Sequence, residues 1–188
     1  MLTRAIKSLQ GASDRIVYVD GAYQAFGVEN DSYSSTDASM SIARRMGVKV
    51  VDCFGKPWKN QVEKRNQYLL GKNGDYYLML DADEEFRGEI YIDGEDVYRI
   101  YVYDCIKKSY FPWIRLFKHR QDLCYKGGHN ILWYGNKMIR ENMSSIMLSA
   151  TINHYYFERS NDRKKRKQKY YEKQLKEERA FRLKHGCP

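Results

Sequence analysis

Asp81 and Asp83 stand two residues apart at the end of the apolar run Tyr76-Tyr77-Leu78-Met79-Leu80, and Glu84 and Glu85 follow at once. Alternate residues of an extended backbone share a face, so the spacing predicts that both aspartates point the same way. In open α/β sheets, ligands bind in the crevice beyond the carboxyl ends of the strands. Two carboxylates converging there suit a hard divalent cation. Mg²⁺ takes one or two protein carboxylates and fills its shell with water and phosphate oxygens. A metal-held diphosphate is the first chemistry this arrangement points to. An acidic turn is the plain alternative, and the neighbouring residues must decide between them.

A second acid, Asp20, closes the run Arg15-Ile16-Val17-Tyr18-Val19 and is followed by Gly21. It reads as a hydrogen-bond acceptor at a strand end or as a simple turn acid. Cys53, Cys105, Cys124 and Cys187 are scattered with no C-x-x-C pair, a pattern expected of free thiols in a reducing compartment. At 188 residues, 43% of them hydrophobic, the chain is long enough for one globular domain with a real core. Its seventeen tyrosines can stack on a sugar or base, and can equally fill half-wet strands. No apolar run is long enough to span a bilayer, and the first residues lack a signal-peptide core. A cytoplasmic protein is the expectation. The net charge of +9 is concentrated after Ser160, in Arg163-Lys164-Lys165-Arg166-Lys167 and the basic residues beyond. That segment is expected either to meet an anionic surface or to form a solvated helix face. A homo-oligomer is compatible with the composition.

The elements that would position these residues follow from periodicity. Leu2, Ala5, Ile6 and Leu9 predict a short helix. A strand over Arg15–Asp20, a polar loop, and a helix carrying Ala38, Ile42, Ala43 and Met46 come next, with Ser35 or Thr36 as cap and Gly47 as stop. Val48–Asp52 reads as a strand, Asn60–Leu70 as a helix, and the run into Asp81 as the third strand. This β-α-β-α-β order predicts a parallel, Rossmann-like sheet. Val97–Asp104, Tyr110–His119, Leu123–Tyr134 and Ser145–Asn153 predict further strands, whose short connections favour antiparallel pairing. A long Lys/Glu/Gln-rich helix is expected from Asn161 to about Lys184.

Taken in order, these stretches resemble the family 2 glycosyltransferases of GT-A type. Ile16-Val17-Tyr18-Val19-Asp20-Gly21-Ala22-Tyr23 is similar to the family's nucleoside-binding strand, and Lys64-Arg65-Asn66 to its Arg-Asn helix. Asp81-Ala82-Asp83 resembles the family's metal motif. Arg115-Leu116-Phe117-Lys118, Tyr125-Lys126-Gly127-Gly128-His129 and Ile152-Asn153-His154-Tyr155 resemble its acceptor-side strands and closing histidine. The likeness runs over most of the chain. It implies one domain over 1–188, with a nucleotide-sugar half over 1–86, an acceptor half over 87–158 and a basic helix over 159–188. The implied fold is a mostly parallel GT-A sheet with an antiparallel acceptor-side portion and a long C-terminal helix.

The resemblance also implies roles. Asp81, Asp83 and His154 would hold Mn²⁺ or Mg²⁺ against the diphosphate of a UDP- or GDP-sugar. Asp20, Gly21, Tyr23, Arg65, Asp81 and Ala82 would contact the donor. Asp83, with His129 as first candidate for the base, would serve the transfer to an unidentified acceptor, and Asp104 is a distant second base. Trp58 is a stacking candidate or a loop anchor. Glu84 and Glu85 are expected behind the metal site or in solvent. Two features depart from the family: its usual first strand is missing before Leu2, and Asn130 stands where many relatives carry an acid. A catalytically impaired binding scaffold, a nucleotidyltransferase and a basic nucleic-acid-binding protein are the competing readings. The last would lose affinity steeply with salt.

Overall fold

The computed structural model describes residues 1–24, 33–35, 37–70, 74–127, 131–140 and 143–155, together with 168–169, 172, 175–176 and 179–180. The first half alternates as its periodicity predicts. Helix α1 (Leu2–Leu9) buries Leu2, Ala5 and Ile6, the apolar stripe read from its spacing. Strand β1 (Val17–Val19), helix α2 (Ser39–Arg45) and strand β2 (Lys49–Val51) follow. Helix α3 (Gln61–Leu69) starts at Asn60, whose side chain accepts the Glu63 N–H at 2.9 Å. Glu63 in turn accepts the Lys59 N–H, so two otherwise orphaned donors are satisfied at this helix start. Strand β3 (Tyr76–Leu78) leads into the acidic stretch.

The second half holds strands β4 (Glu84–Gly88), β5 (Val97–Asp104), β6 (Ser109–Lys118), β7 (Leu123–Lys126), β8 (Ile131–Tyr134), β9 (Lys137–Met138) and β10 (Ser145–His154). They assemble into two sheets, one of five strands in the order β3-β6-β5-β10-β4 and one of three, β7-β8-β9. β1 and β2 form a separate two-stranded parallel sheet.

The expected mostly parallel, Rossmann-like α/β sheet is therefore overturned. Strands predominate, and their sheets are mixed or antiparallel. Parallel pairing is confined to β1–β2 and β5–β10, whereas β3–β6, β5–β6, β4–β10 and the β7-β8-β9 ladder are antiparallel. The cause is strand length. β1, β2 and β3 contribute three residues each, while β5, β6 and β10 run for eight, ten and ten. The long β6 pairs with β5 along its length and still reaches β3, so the hairpin-rich half captures β3 into an antiparallel ladder. The expected long C-terminal helix is also not found: no helix among the described residues exceeds nine residues. Most of 161–184 lies outside the described residues.

Three apolar clusters hold these elements. Phe86, Tyr98, Ile100, Val102, Leu116 and Ile152 pack in the five-stranded sheet. Phe117, Val97, Leu69 and Tyr125 join that sheet to α3 and the three-stranded sheet. A smaller cluster of Leu2, Ile6, Ala43 and Val48 supports the β1–β2 unit. No helix among the described residues is long and apolar enough to cross a membrane.

Candidate functional site

A cavity of about 260 Å³ opens between β1, the end of β3, α1 and α3. It is lined by the apolar Leu2, Ile6, Leu9, Val17 and Met79 and by Tyr23, Lys64, Arg65, Asp81 and Ala82. Helix α3 supplies the two cations from consecutive positions. The Lys64 Nζ donates to the Gly21 carbonyl at 2.7 Å. Arg65 donates to the Met79 sulfur and lies 3.4 Å from the Asp81 carboxylate. Burial pushes the Lys64 ammonium down from its ordinary value, against the attraction of Asp20 and Asp81. Asn66, next on the helix, exchanges hydrogen bonds with the Tyr125 backbone at 2.8 and 3.1 Å and so braces α3 against β7.

Asp20 is almost completely buried. Its carboxylate accepts the Ser35 N–H at 2.7 Å, the Ser35 hydroxyl and the Tyr18 hydroxyl at 2.7 Å. Burial raises its pKa, but these donors and Lys64 outweigh it and hold the carboxyl below its usual value. Ser35, expected as a helix cap, instead ties the loop to β1. The Trp58 indole N–H donates to the Asp20 carbonyl at 2.6 Å, which makes Trp58 a loop anchor. Gly21 has φ +106°, and an added Cβ would stand 2.8 Å from the Cys53 side chain and 2.9 Å from the Trp58 indole nitrogen. Glycine is required there by both backbone and space.

The acidic stretch is a turn between β3 and β4, not an extended strand end. The Glu84 N–H donates to the Asp81 carbonyl at 3.0 Å, and the Asp81 N–H donates back to the Glu84 carboxylate at 2.8 Å. The two aspartates therefore sit on a turn and not on the extended backbone expected, and both act on His154. Asp81 meets Arg65, and Asp83 meets the His154 Nε2 at 3.4 Å. The Tyr155 N–H donates to the Asp83 carbonyl at 2.9 Å, which pins the end of β10 beside the turn. Burial lowers the His154 pKa, but Asp83, Glu84 and Asp81 together hold it above its ordinary value.

Glu84, expected either behind the metal site or in solvent, lies inside, behind Asp81. It is fully buried and paired with Arg115, also fully buried, at 2.5 Å. Burial raises its pKa even against the guanidinium. No strand was expected over Glu84–Gly88, and a buried carboxylate at its start carries no obvious mark in the sequence. The alternation of β4, with Glu84 and Phe86 buried and Glu85 half-buried between them, was its one signal. Asp104, a distant candidate for the base, accepts the N–H groups of Ile106 and Lys107 at 2.9 and 2.8 Å and holds the β5–β6 turn. His129 lies outside the described residues.

The donor set of Asp81, Asp83 and His154 matches Mn²⁺ or Mg²⁺ in ligand chemistry, and two members already adjoin. Asp81 is turned to Arg65, and no cluster of three or more ligand side chains with metal-holding geometry exists among the described residues.

The cavity thus brings Lys64, Arg65 and Asp81 together with apolar side chains of α1, β1 and β3 beyond the strand ends. No protein-family model matches the chain. Over 89 residues, 47% of its length, the chain is 32% identical to an uncharacterized glycosyltransferase of Rickettsia conorii, covering 26% of that protein. An uncharacterized glycosyltransferase of Rickettsia bellii matches at 32% over 89 residues, 25% of its length. The match thus spans about a quarter of each of these relatives.

Proposed function

We propose that this chain transfers a glycosyl group from a UDP- or GDP-sugar to an acceptor with the help of a divalent cation. The observation that carries it is the convergence of Lys64, Arg65 and Asp81 at one end of the cavity, with Asp83 on the same turn paired with His154 at the end of β10. The similarity to proteins named glycosyltransferases supports glycosyl transfer in general.

In this proposal Lys64 and Arg65 face the donor diphosphate, the guanidinium fork suiting phosphate oxygens well. Asp81, Asp83 and His154 hold Mn²⁺ or Mg²⁺, which would neutralise charge developing on the departing nucleoside diphosphate. Tyr23 and Ala82 line the donor end. Asp20 and Gly21 stand behind the donor end, where Ser35 and Tyr18 engage the Asp20 carboxylate and the Gly21 carbonyl accepts from Lys64. The acceptor hydroxyl attacks the anomeric carbon as the bond to the diphosphate breaks, and its proton passes to a base. His129 is the proposed base on sequence position alone.

The test is thermal shift and donor hydrolysis with Mn²⁺ and a panel of UDP- and GDP-sugars. A metal-dependent rise in melting temperature with at least one donor is expected, lost in Asp83→Asn. No response to any nucleotide sugar, with or without metal, would overturn the proposal. The second reading is a scaffold that binds the donor without transfer. It would give the thermal shift and no turnover with any acceptor.

A further inference from the structure

A guanidinium withdrawn from water is ordinarily matched by a carboxylate. Arg65 is matched only loosely. Its side chain is 14% exposed, and among the described residues Asp81 is the one carboxylate in ion-pair range, at 3.4 Å and itself 44% exposed. A pair that long, with one partner open to water, contributes little. The other groups around the guanidinium are neutral. Its Nη1 donates to the Met79 sulfur, and its Cζ lies 5.9 Å from the centre of the Tyr125 ring. The Tyr125 hydroxyl donates to the same sulfur at 3.2 Å, and the Tyr68 hydroxyl donates to the Tyr125 oxygen at 3.1 Å. Burial pushes both phenols up from their ordinary value, so they stay uncharged at neutral pH.

Each member of this cradle comes from a different element and is fixed there. Tyr68 belongs to α3 and meets Tyr125 of β7 edge to face, with ring centroids 6.0 Å apart. Met79 follows β3, and its N–H donates to the Arg115 carbonyl of β6 at 2.8 Å. Asn66 ties α3 to the Tyr125 backbone. Methionine often merely fills irregular gaps, but two donors converging on one sulfur exceed what filling needs. A thioether is a weak acceptor and carries no charge. A carboxylate in its place would grip the guanidinium more tightly and cancel its charge. The sulfur instead gives the fork a direction and leaves the charge to the cavity, which Tyr68, Met79 and Arg65 all line.

We propose that Met79 is a positioning residue: its sulfur, shared with Tyr125, holds the Arg65 guanidinium in the cavity wall with its charge left for the diphosphate of a donor. The ligand in this proposal rests on the donor reading, whereas the cradle is a property of the free protein. An arginine already aimed loses less freedom on binding than one recruited from solvent. A phosphate oxygen also displaces a weak sulfur contact more readily than it would a carboxylate.

The probes are the Arg65 guanidinium N–H resonances, assigned by their loss in Arg65→Lys, and inorganic pyrophosphate in calorimetric titration. Met79→Leu keeps the volume and removes the acceptor. It is expected to speed exchange of the Arg65 N–H groups by about tenfold and to weaken pyrophosphate by about the same factor. Met79→Gln puts an amide oxygen in place of the sulfur and should restore both toward wild type. Asn60→Ala loosens the start of the same helix outside the cradle and should change neither. Unchanged guanidinium exchange in Met79→Leu overturns the proposal, as does a Met79→Gln protein that behaves like Met79→Leu. A response of equal size in Asn60→Ala would trace the effect to lost stability and overturn it as well. Pyrophosphate held equally by wild type and Met79→Leu would leave the donor reading standing and remove Met79 from it. Exchange that responds as expected, in a protein that binds neither pyrophosphate nor any nucleotide sugar, would keep the cradle and sink the donor reading.

Discussion

Glu84 organises the acidic turn although it was read as a bystander. Its carboxylate accepts the Asp81 N–H and neutralises the fully buried Arg115, whose Nε and Nη1 have no other hydrogen-bond partner. Removing one member of a buried pair leaves a charge without compensation, so Arg115→Met should cost about 3–5 kcal/mol in denaturant unfolding. A loss below about 1 kcal/mol, the range of exposed pairs, would show that the pair does not hold the turn. Asp20 gives a prediction in pH. Its folded pKa lies below the usual carboxylate value, so its stabilisation is complete above the unfolded value of about 4 and is lost as pH falls through the folded one. Melting curves should show wild type above Asp20→Asn at pH 6, with the gap closing toward pH 3. A gap independent of pH would remove Asp20 from the account of the loop.

Elements are where local sequence chemistry was most legible. Asn60 was expected at the start of α3 and caps it through Glu63, so Asn60→Ala should cost about 1 kcal/mol by chemical denaturation. Gly88 was not anticipated. It ends β4 at φ +95°, and a Cβ there would stand 2.1 Å from the Ser149 carbonyl oxygen of β10. Gly88→Ala should destabilise by at least about 1–3 kcal/mol, and a neutral result would mean the strands part easily. The bounds of α1 and β5 could be read directly because strong periodicity marks them. β4 was missed because Glu84-Glu85-Phe86-Arg87-Gly88 hides a buried acid in a polar string. Pairing partners were not legible either. The expectation of parallel neighbours for β3 rested on the helix between strands, whereas its partner is β6, about forty residues downstream in the sequence. The site followed the same rule. Asp81 could be named from its strand end, and Arg65 and His154 only from the family resemblance, whereas the turn that Asp81 and Glu84 form rests on a tertiary ion pair that no local pattern shows.

On the scale of the whole molecule, apolar burial is divided unevenly between two bodies of structure that the cavity bridges. The β1–β2 pair is a two-stranded sheet resting on a small cluster of Leu2, Ile6, Ala43 and Val48, and isolated pairs of strands are marginal in water. The five-stranded sheet buries far more around Ile100, Val102, Phe117 and Ile152. Few polar ties cross between them: Lys64 to Gly21, the Phe86 N–H to the Ser8 hydroxyl at 3.0 Å, and the Arg4 guanidinium over the Tyr155 ring at 3.8 Å. Native-state hydrogen exchange should therefore resolve two tiers, with amides of α2, β1 and β2 opening at lower free energy than those of β5, β6 and β10. The charged end of the cavity draws Lys64 toward Gly21 of the weaker body and Arg65 toward Asp81 of the stronger one. A nucleotide sugar bound across that end would stabilise only the state in which both are in place. With Mn²⁺ and a responding donor, the lower tier should rise toward the upper while β5 and β6 stay unchanged. A single tier in the free protein would show that the two bodies unfold together, and a donor that raised only the upper tier would place its site away from β1.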